Sequence, residues 1–384
     1  MASSPAASAA VDAAYDAIEE QVIEIRGLEP ERQVARRIID EAELRTLITE
    51  QFNEDAPPEY VAANDRLYKA LGLIPADADL REMTLDLLSG GVAGFYRSDQ
   101  DTLYIVSKTG LPGVNERITF AHEFDHALQD QNTSVFADQE GVLDQADRIL
   151  ARQAVYEGDA TLLMTLWAAE NFDLADLAEM LALGNDPEQT ALLERMPKIL
   201  SETLLFPYTT GMIFTQRFQA QGGWDAVDEL YDRMPASTEQ ILHPEAYEAG
   251  EDPVPVDLPD DLAAQLGSDW SVPLEDTFGE LQLGIWLREM GVAADVAAEA
   301  AAGWGGDRLA VVEGPDGAWG VAVVTTWDTE DDAGEFLDAA QPGVNDLANP
   351  GDVSTPAGRD VTILVASDDA TLLLLDQVFG STGV

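Results

Sequence analysis

Residues 122–126 read His-Glu-Phe-Asp-His, and no other stretch of the 384-residue chain constrains its folding so tightly. Two imidazoles four positions apart face one another only on a helix, where residues i and i+4 lie one above the other. The same helix sets Glu123 beside them and gives Ala121, Phe124 and Leu128 a separate apolar stripe that holds the element against a core. The chain has three histidines, the third being His243. With so few, composition alone would produce this pattern about 0.002 times in a chain of this length. Two histidines able to bind one ion, with a carboxylate between them, form the arrangement of zinc hydrolases.

Zinc needs a third protein ligand. A histidine spaced as in HExxHxxGxxH would fall at Asn132, with Gln129 in the glycine position, which rules out the metzincin arrangement. The best candidate is Glu157, in AVYEGDATLLM on the next long helical stretch. Its neighbours at three and four spacing, Gln153, Ala154, Ala160 and Thr161, are uncharged, so Glu157 points inward. An unpaired carboxylate there is costly and a metal is an efficient partner. Gly158 removes a side chain where the two helices must approach, and Asp144 and Asp147 compete as ligands from more polar surroundings.

His243, beside Pro244 in PASTEQILHPEAY, is placed on a loop facing the cleft. It or Tyr247 would donate a hydrogen bond to a developing oxyanion, a task that Tyr231 could share. Stapling a loop fits His243 equally well. Tyr208 and Gly211, in FPYTTGMIF, are expected to pack behind the metal.

The 73 acidic residues outnumber the 20 basic ones, for a net charge of −53, which excludes nucleic acid and anionic membrane surfaces as partners. A hydrophobic content of 46% still provides for a real core. Only Lys69, Lys108 and Lys198 are lysines and Asp outnumbers Glu 41 to 32, a balance expected of a protein working in concentrated salt. There is no cysteine, hence no disulfide or thiolate ligand. No apolar run reaches the roughly 18–20 residues of a membrane span. The start, MASSPAASAAVDAAYDA, has no signal-peptide pattern and reads as the small-residue stretch that follows a removed signal or lipid anchor. An extracellular or cell-surface location is expected, with the cytoplasm left open.

Periodicity and turn chemistry indicate an α+β chain: an Ala/Ser-rich segment at 1–26, a mainly helical zincin-like domain at 27–248, an acidic Pro-rich linker at 249–273 and an α/β module at 274–384. In the first domain the helices are expected at 29–53, 57–72, 115–131 (capped by Asn115), 141–171, 173–183, 188–205 and 209–234, with a hairpin at 92–107. In the module they are a helix at 277–290, an Ala-rich helix, a hairpin at 307–327, a helix at 330–340, a strand at 360–366 and a helix from 369. TLYIVS, 102–107, is either an edge strand able to pair with an extended peptide or a plain core strand.

The segments AGFYRSDQDTLYIV, FAHEFDHALQDQ, AVYEGDAT and GGWDAVDELYDRMPASTEQILHPEAY, in that order, resemble a family of gluzincin-like HExxH surface proteins of halophilic archaea and other prokaryotes. The resemblance covers roughly residues 30–300 and implies a secreted or lipid-anchored metallopeptidase-like domain, with one zinc ion on His122, His126 and Glu157 and with Glu123 as base. Asp125 stands where these motifs usually carry Thr, and Thr161 where many gluzincins carry an Asp that orients a ligand histidine; Asp159 or Asp130 would have to supply that carboxylate. The function expected is peptide-bond hydrolysis by a zinc-activated water, with Glu123 as general base and a peptide or protein as substrate. Two alternatives are a zincin scaffold that binds at the cell surface without turnover, and a hydrolase of non-peptide amides. The second would lack a peptide-binding strand near 102–107.

Overall fold

Aspartates punctuate this chain. Asp40, Asp79, Asp173, Asp186 and Asp368 each accept hydrogen bonds from the first free N–H groups of a helix, so the acid excess also sets where helices begin. The computed structural model describes residues 5–136, 142–184, 186–355 and 358–380. It opens with α1 (Pro5–Arg26), β1 (Ala35–Ile39), α2 (Glu41–Asp55), α3 (Pro58–Ala70), α4 (Leu80–Gly91), β2 (Gly94–Arg97), β3 (Thr102–Val106), α5 (Val114–Asn132) and α6 (Ala146–Asn171). Next come α7 (Leu174–Leu183), α8 (Pro187–Arg195), α9 (Lys198–Phe206), a π-helical turn (Pro207–Gly211), α10 (Met212–Gly222), α11 (Trp224–Asp232), α12 (Thr238–Leu242) and α13 (Pro244–Ala249). The rest is α14 (Leu262–Leu266), β4 (Ser271–Asp276), α15 (Gly279–Glu289), α16 (Ala294–Ala301), β5 (Trp304–Glu313), β6 (Trp319–Trp327), α17 (Glu330–Asn345), β7 (Gly351–Ser354), β8 (Asp360–Ala366) and α18 (Asp369–Phe379).

The chain is mainly helical with two small sheets, an α+β architecture. The first sheet has the order β1-β3-β2, with β1 parallel and β2 antiparallel to β3. The second, β4-β5-β6-β8-β7, is antiparallel throughout. Helix α5, which carries HEFDH, lies against β2 and β3 and is held by α1, α6 and α7. Tyr15, Ile18 and Val22 of α1 pack with Leu103 and Ile105 of β3, Phe120, Phe124 and Leu128 of α5, and Leu163 and Trp167 of α6.

Several expectations are corrected. From Pro5 the Ala/Ser-rich segment at 1–26 is helix α1, with a buried face that seals α5. The helix expected at 29–53 is a strand and a helix, because Ile38 and Ile39 join β3 in the sheet and Asp40 then caps α2. Helix α5 starts after Gly113 without a side-chain cap, so Asn115 is not its cap. Pro197 divides 188–205 into α8 and α9, and Gly223, at φ +72°, divides the stretch that follows. The start expected at residue 141 lies outside the described residues, and α6 begins at Ala146. Residues 249–273 do not hang free: Leu258, Leu262 and Leu266 pack with Leu375, Val378 and Phe379, and the N–H of Val254 donates to the carbonyl of Gly305 at 2.7 Å. Ala63 and Leu67 of α3 share a buried cluster with Trp286 of α15 and Val321 of β6, so the core runs across the composition boundary. Among the described residues no helix is long and apolar enough to cross a membrane.

Candidate metal centre

Helix α5 turns His122 and His126 toward α6, where Glu157 meets them. His122 Nε2 lies 3.1 Å from Glu157 Oε2, His126 Nε2 lies 3.2 Å from the same oxygen, and the two Nε2 atoms are 3.1 Å apart. All three side chains are buried. Three lone-pair-bearing atoms crowded in this way repel unless a cation lies among them. The triangle also suits a metal: ligands about 2.0–2.1 Å from a tetrahedral zinc are about 3.3–3.4 Å from one another. The group could therefore hold a metal ion.

The titration behaviour expresses the same demand for positive charge. Burial pulls the His126 imidazole down, but Glu157 outweighs this and pushes it up to about 10. Burial raises Glu157, but His126 and His122 outweigh that effect and hold it well below the usual carboxylate range.

The nitrogen of His126 that faces the triad is fixed by Gln129, one turn on. Gln129 Nε2 donates to Asp125 Oδ2 at 2.9 Å and to the carbonyl of Tyr156 at 3.0 Å. The carbonyl of Tyr156 can only accept, so Gln129 Oε1 must face His126 Nδ1, at 2.9 Å, and that nitrogen carries the hydrogen. Nε2 is left for the cation. Tyr156 and Phe136 close edge-on around the same imidazole, with ring centroids 5.9 and 6.1 Å away. Among the described residues no carboxylate plays this part for His122, whose Nδ1 is buried without a partner, as is Thr161 Oγ1. Asp130 instead accepts from the Tyr96 hydroxyl at 2.8 Å, and Asp159 pairs with Arg26 at 3.0 Å and accepts from the Tyr231 hydroxyl at 2.8 Å.

Glu157 presents only one oxygen to the histidines because its other, Oε1, accepts from the Tyr208 hydroxyl at 3.0 Å. Tyr208 is brought there by the π-helical turn, whose backbone lies directly on α6. A Cβ on Gly158 would collide with the backbone of Gly211, and one on Gly211 with that of Ala154. Gly158 thus admits this turn, not α5. Such turns recur at functional sites, and Pro207 inside the helical run was the available signal. Burial, with Glu157 and Glu123 nearby, raises the Tyr208 phenol well above its usual range, so it stays a donor.

Glu123 is buried beside the triad without belonging to it. Burial raises its carboxyl, opposed by His122 and His126 and, more weakly, by the nearby backbone N–H of Tyr96 on β2. This placement follows from sheet register. Val106 N–H donates to the carbonyl of Ala93, so Phe95 and Arg97 also face β3, whereas the N–H and C=O groups of Gly94 and Tyr96 face the free edge. Of the two readings of 102–107, edge strand or core strand, the structure gives the second: β3 is the central strand, and its backbone is committed on both sides.

The other two expected catalytic residues are engaged elsewhere. His243 Nε2 meets Glu280 Oε1 at 2.9 Å. That pair belongs to the far end of α6, where Thr238 bonds Asp147 and Gly279 abuts it. Asp147 is ten residues from Glu157, about 15 Å along the helix. The Tyr247 hydroxyl donates to the carbonyl of Arg233 at 2.7 Å, and its ring packs edge-on against Phe214 and Phe218. The structure groups neither of them with His122, His126 and Glu157. Tyr208, expected only to pack, is the tyrosine at the triad.

A family described as "Domain of unknown function (DUF8575)" matches residues 270–370, which contain the second sheet and none of the triad. No curated protein matches the chain. Among solved structures there is a match to a "putative hydrolase with a novel fold" from Chloroflexus aurantiacus, 16% identical, with a TM-score of 0.43, covering 62% of this chain and 88% of that one.

Proposed function

We propose that this protein is a zinc-dependent hydrolase, and specifically a peptidase, adapted to concentrated salt. The observation that carries the reading is the buried triangle of His122, His126 and Glu157 with an acid that is not a ligand, Glu123, one residue away on the same helix. His122, His126 and Glu157 would hold the ion. When bound, zinc supplies a Lewis acid for the substrate carbonyl and the attacking water. Glu123 takes one proton of that water on a carboxylate oxygen as the oxygen attacks the carbonyl carbon. It then delivers the proton to the leaving nitrogen as the C–N bond breaks. Burial raises its carboxyl above its ordinary value, the direction that favours taking up a proton. The free edge of β2, through Gly94, offers main-chain groups for an extended peptide next to Glu123. Because β3 is interior, a non-peptide amide is the second reading, and β2 is the strand that separates the two.

Purified protein should contain one zinc per chain and digest an unstructured protein substrate in molar KCl. Glu123→Gln should keep the zinc and lose activity by roughly 10²–10⁴-fold. Activity near wild type in that variant would refute the proposed role of Glu123.

A further inference from the structure

A cavity of about 240 Å³ lies beside the triad, between α4, α8 and α9. Leu87 and Leu88 come from the first helix, Leu192 and Leu193 from the second and Leu204 from the third, while Tyr208 forms one wall. Among the described residues no charged side chain lines it, in a chain with 73 acidic residues, so it is no part of the solvated coat. Its position ties it to the chemistry twice. The hydroxyl of Tyr208 is the group bonded to Glu157 Oε1. On the other side Gly91 and Val92 line the cavity and lead directly into β2, whose outer edge at Tyr96 lies near Glu123.

We propose that this cavity receives a large apolar side chain of the substrate, of leucine or phenylalanine size, next to the bond under attack. This deepens the peptidase reading and rests on it. An apolar cavity of about 150 Å³ already admits benzene, so the space suffices for either side chain. A peptide lying along the edge of β2 sends alternate side chains to opposite faces, and one of them can enter beside Val92. Burying such a side chain should favour it over alanine by roughly 10- to 100-fold. Aspartate should be excluded, because nothing in the cavity would pair with its charge.

The test is titration of the zinc-loaded protein in molar KCl with N-acetyl-L-leucinamide, N-acetyl-L-phenylalaninamide, N-acetyl-L-alaninamide and N-acetyl-L-aspartamide, by calorimetry. Leucyl and phenylalanyl amides should bind at least 10-fold tighter than the alanyl amide. Leu88→Trp and Leu204→Trp fill the cavity from different helices; whichever folds by circular dichroism should lose that preference. Equal affinity for the four amides on wild type, or an unchanged preference in a folded variant, overturns the proposal. The amides require no turnover, so the two readings fail separately. An apolar preference in a protein that cleaves no member of a peptide library keeps the cavity and sinks the peptidase, whereas cleavage indifferent to apolar residues sinks the cavity alone.

Discussion

Gln129 illustrates how one uncharged side chain can orient a histidine that could hold a metal ion. Its amide is oriented by two acceptors, Asp125 and the carbonyl of Tyr156, and in turn fixes the hydrogen of His126 on Nδ1. For the proposed zinc site, Gln129→Leu should therefore weaken zinc binding by roughly 10- to 100-fold, measured by competition with a chelator. Unchanged affinity would mean that Tyr156 and Phe136 hold the ring unaided. At this scale His122, Glu123, His126 and Glu157 were legible in the sequence, because helical spacing and an uncharged stripe can be counted along the chain. Gln129 was equally countable, three residues past His126, but was read only as a departure from a glycine. His243 and Tyr247 failed because a position after a helix does not say which way a loop faces. Glu280 and the carbonyl of Arg233 claimed them.

Helix α1 reads as a weak small-residue segment, yet its last residue lies under the metal helix. Arg26 is fully buried, 3.0 Å from Asp159, 2.6 Å from Asp228 and 3.8 Å from Asp125, with Trp224 over its guanidinium at 4.8 Å. Arg26→Ala would strand two buried carboxylates and should cost about 3–5 kcal/mol in denaturant unfolding. Burial and Asp159 hold Asp125 up to about 8, so it can take up a proton below that pH and the loss should be greatest above it. A loss below about 1 kcal/mol at pH 9 would show the cluster to be dispensable. The register of β2 on β3 and the contact of the π-helical turn with α6 are likewise relations between elements. They bring Tyr96 and Tyr208 to the site from distant stretches of the chain. Periodicity identified the hairpin and α5 but could not show β1 pairing on the far side of β3, which makes β3 the core strand and leaves the outer edge of β2 free.

Over the whole molecule, 73 acidic groups repel one another, and salt reduces that repulsion by shrinking the screening length from about 10 Å at 0.1 M to about 3 Å at 1 M. The unfolding midpoint should rise steadily from 0.1 to 2 M KCl in calorimetry; a midpoint independent of salt would remove the case for salt adaptation. A second dependence comes from the junction between α6 and the second sheet, where buried acids meet. Burial, aided by Asp307 and Glu280, raises Asp147 to about 8, and burial raises Asp276 and Asp307 to about 6. An acid whose folded pKa lies above its unfolded value stabilises the fold most at low pH, and that contribution is lost as pH rises through the folded pKa. At fixed molar KCl, stability should thus decline from pH 5 to pH 8, and Asp147→Asn should flatten the decline. A wild-type midpoint that climbs over this range would contradict the assignment. The sequence by itself determined that a helix would carry two histidines and a carboxylate on one side, that the surface would be acidic and that the fold would be α+β. These follow from local periodicity and composition. Only the tertiary structure decided which tyrosine reaches Glu157, which strand edge flanks Glu123 and which arginine lies beneath the site. Each is a contact between residues far apart in the chain, and packing chooses among such contacts by excluding water and satisfying every buried polar group, which no spacing along the sequence records.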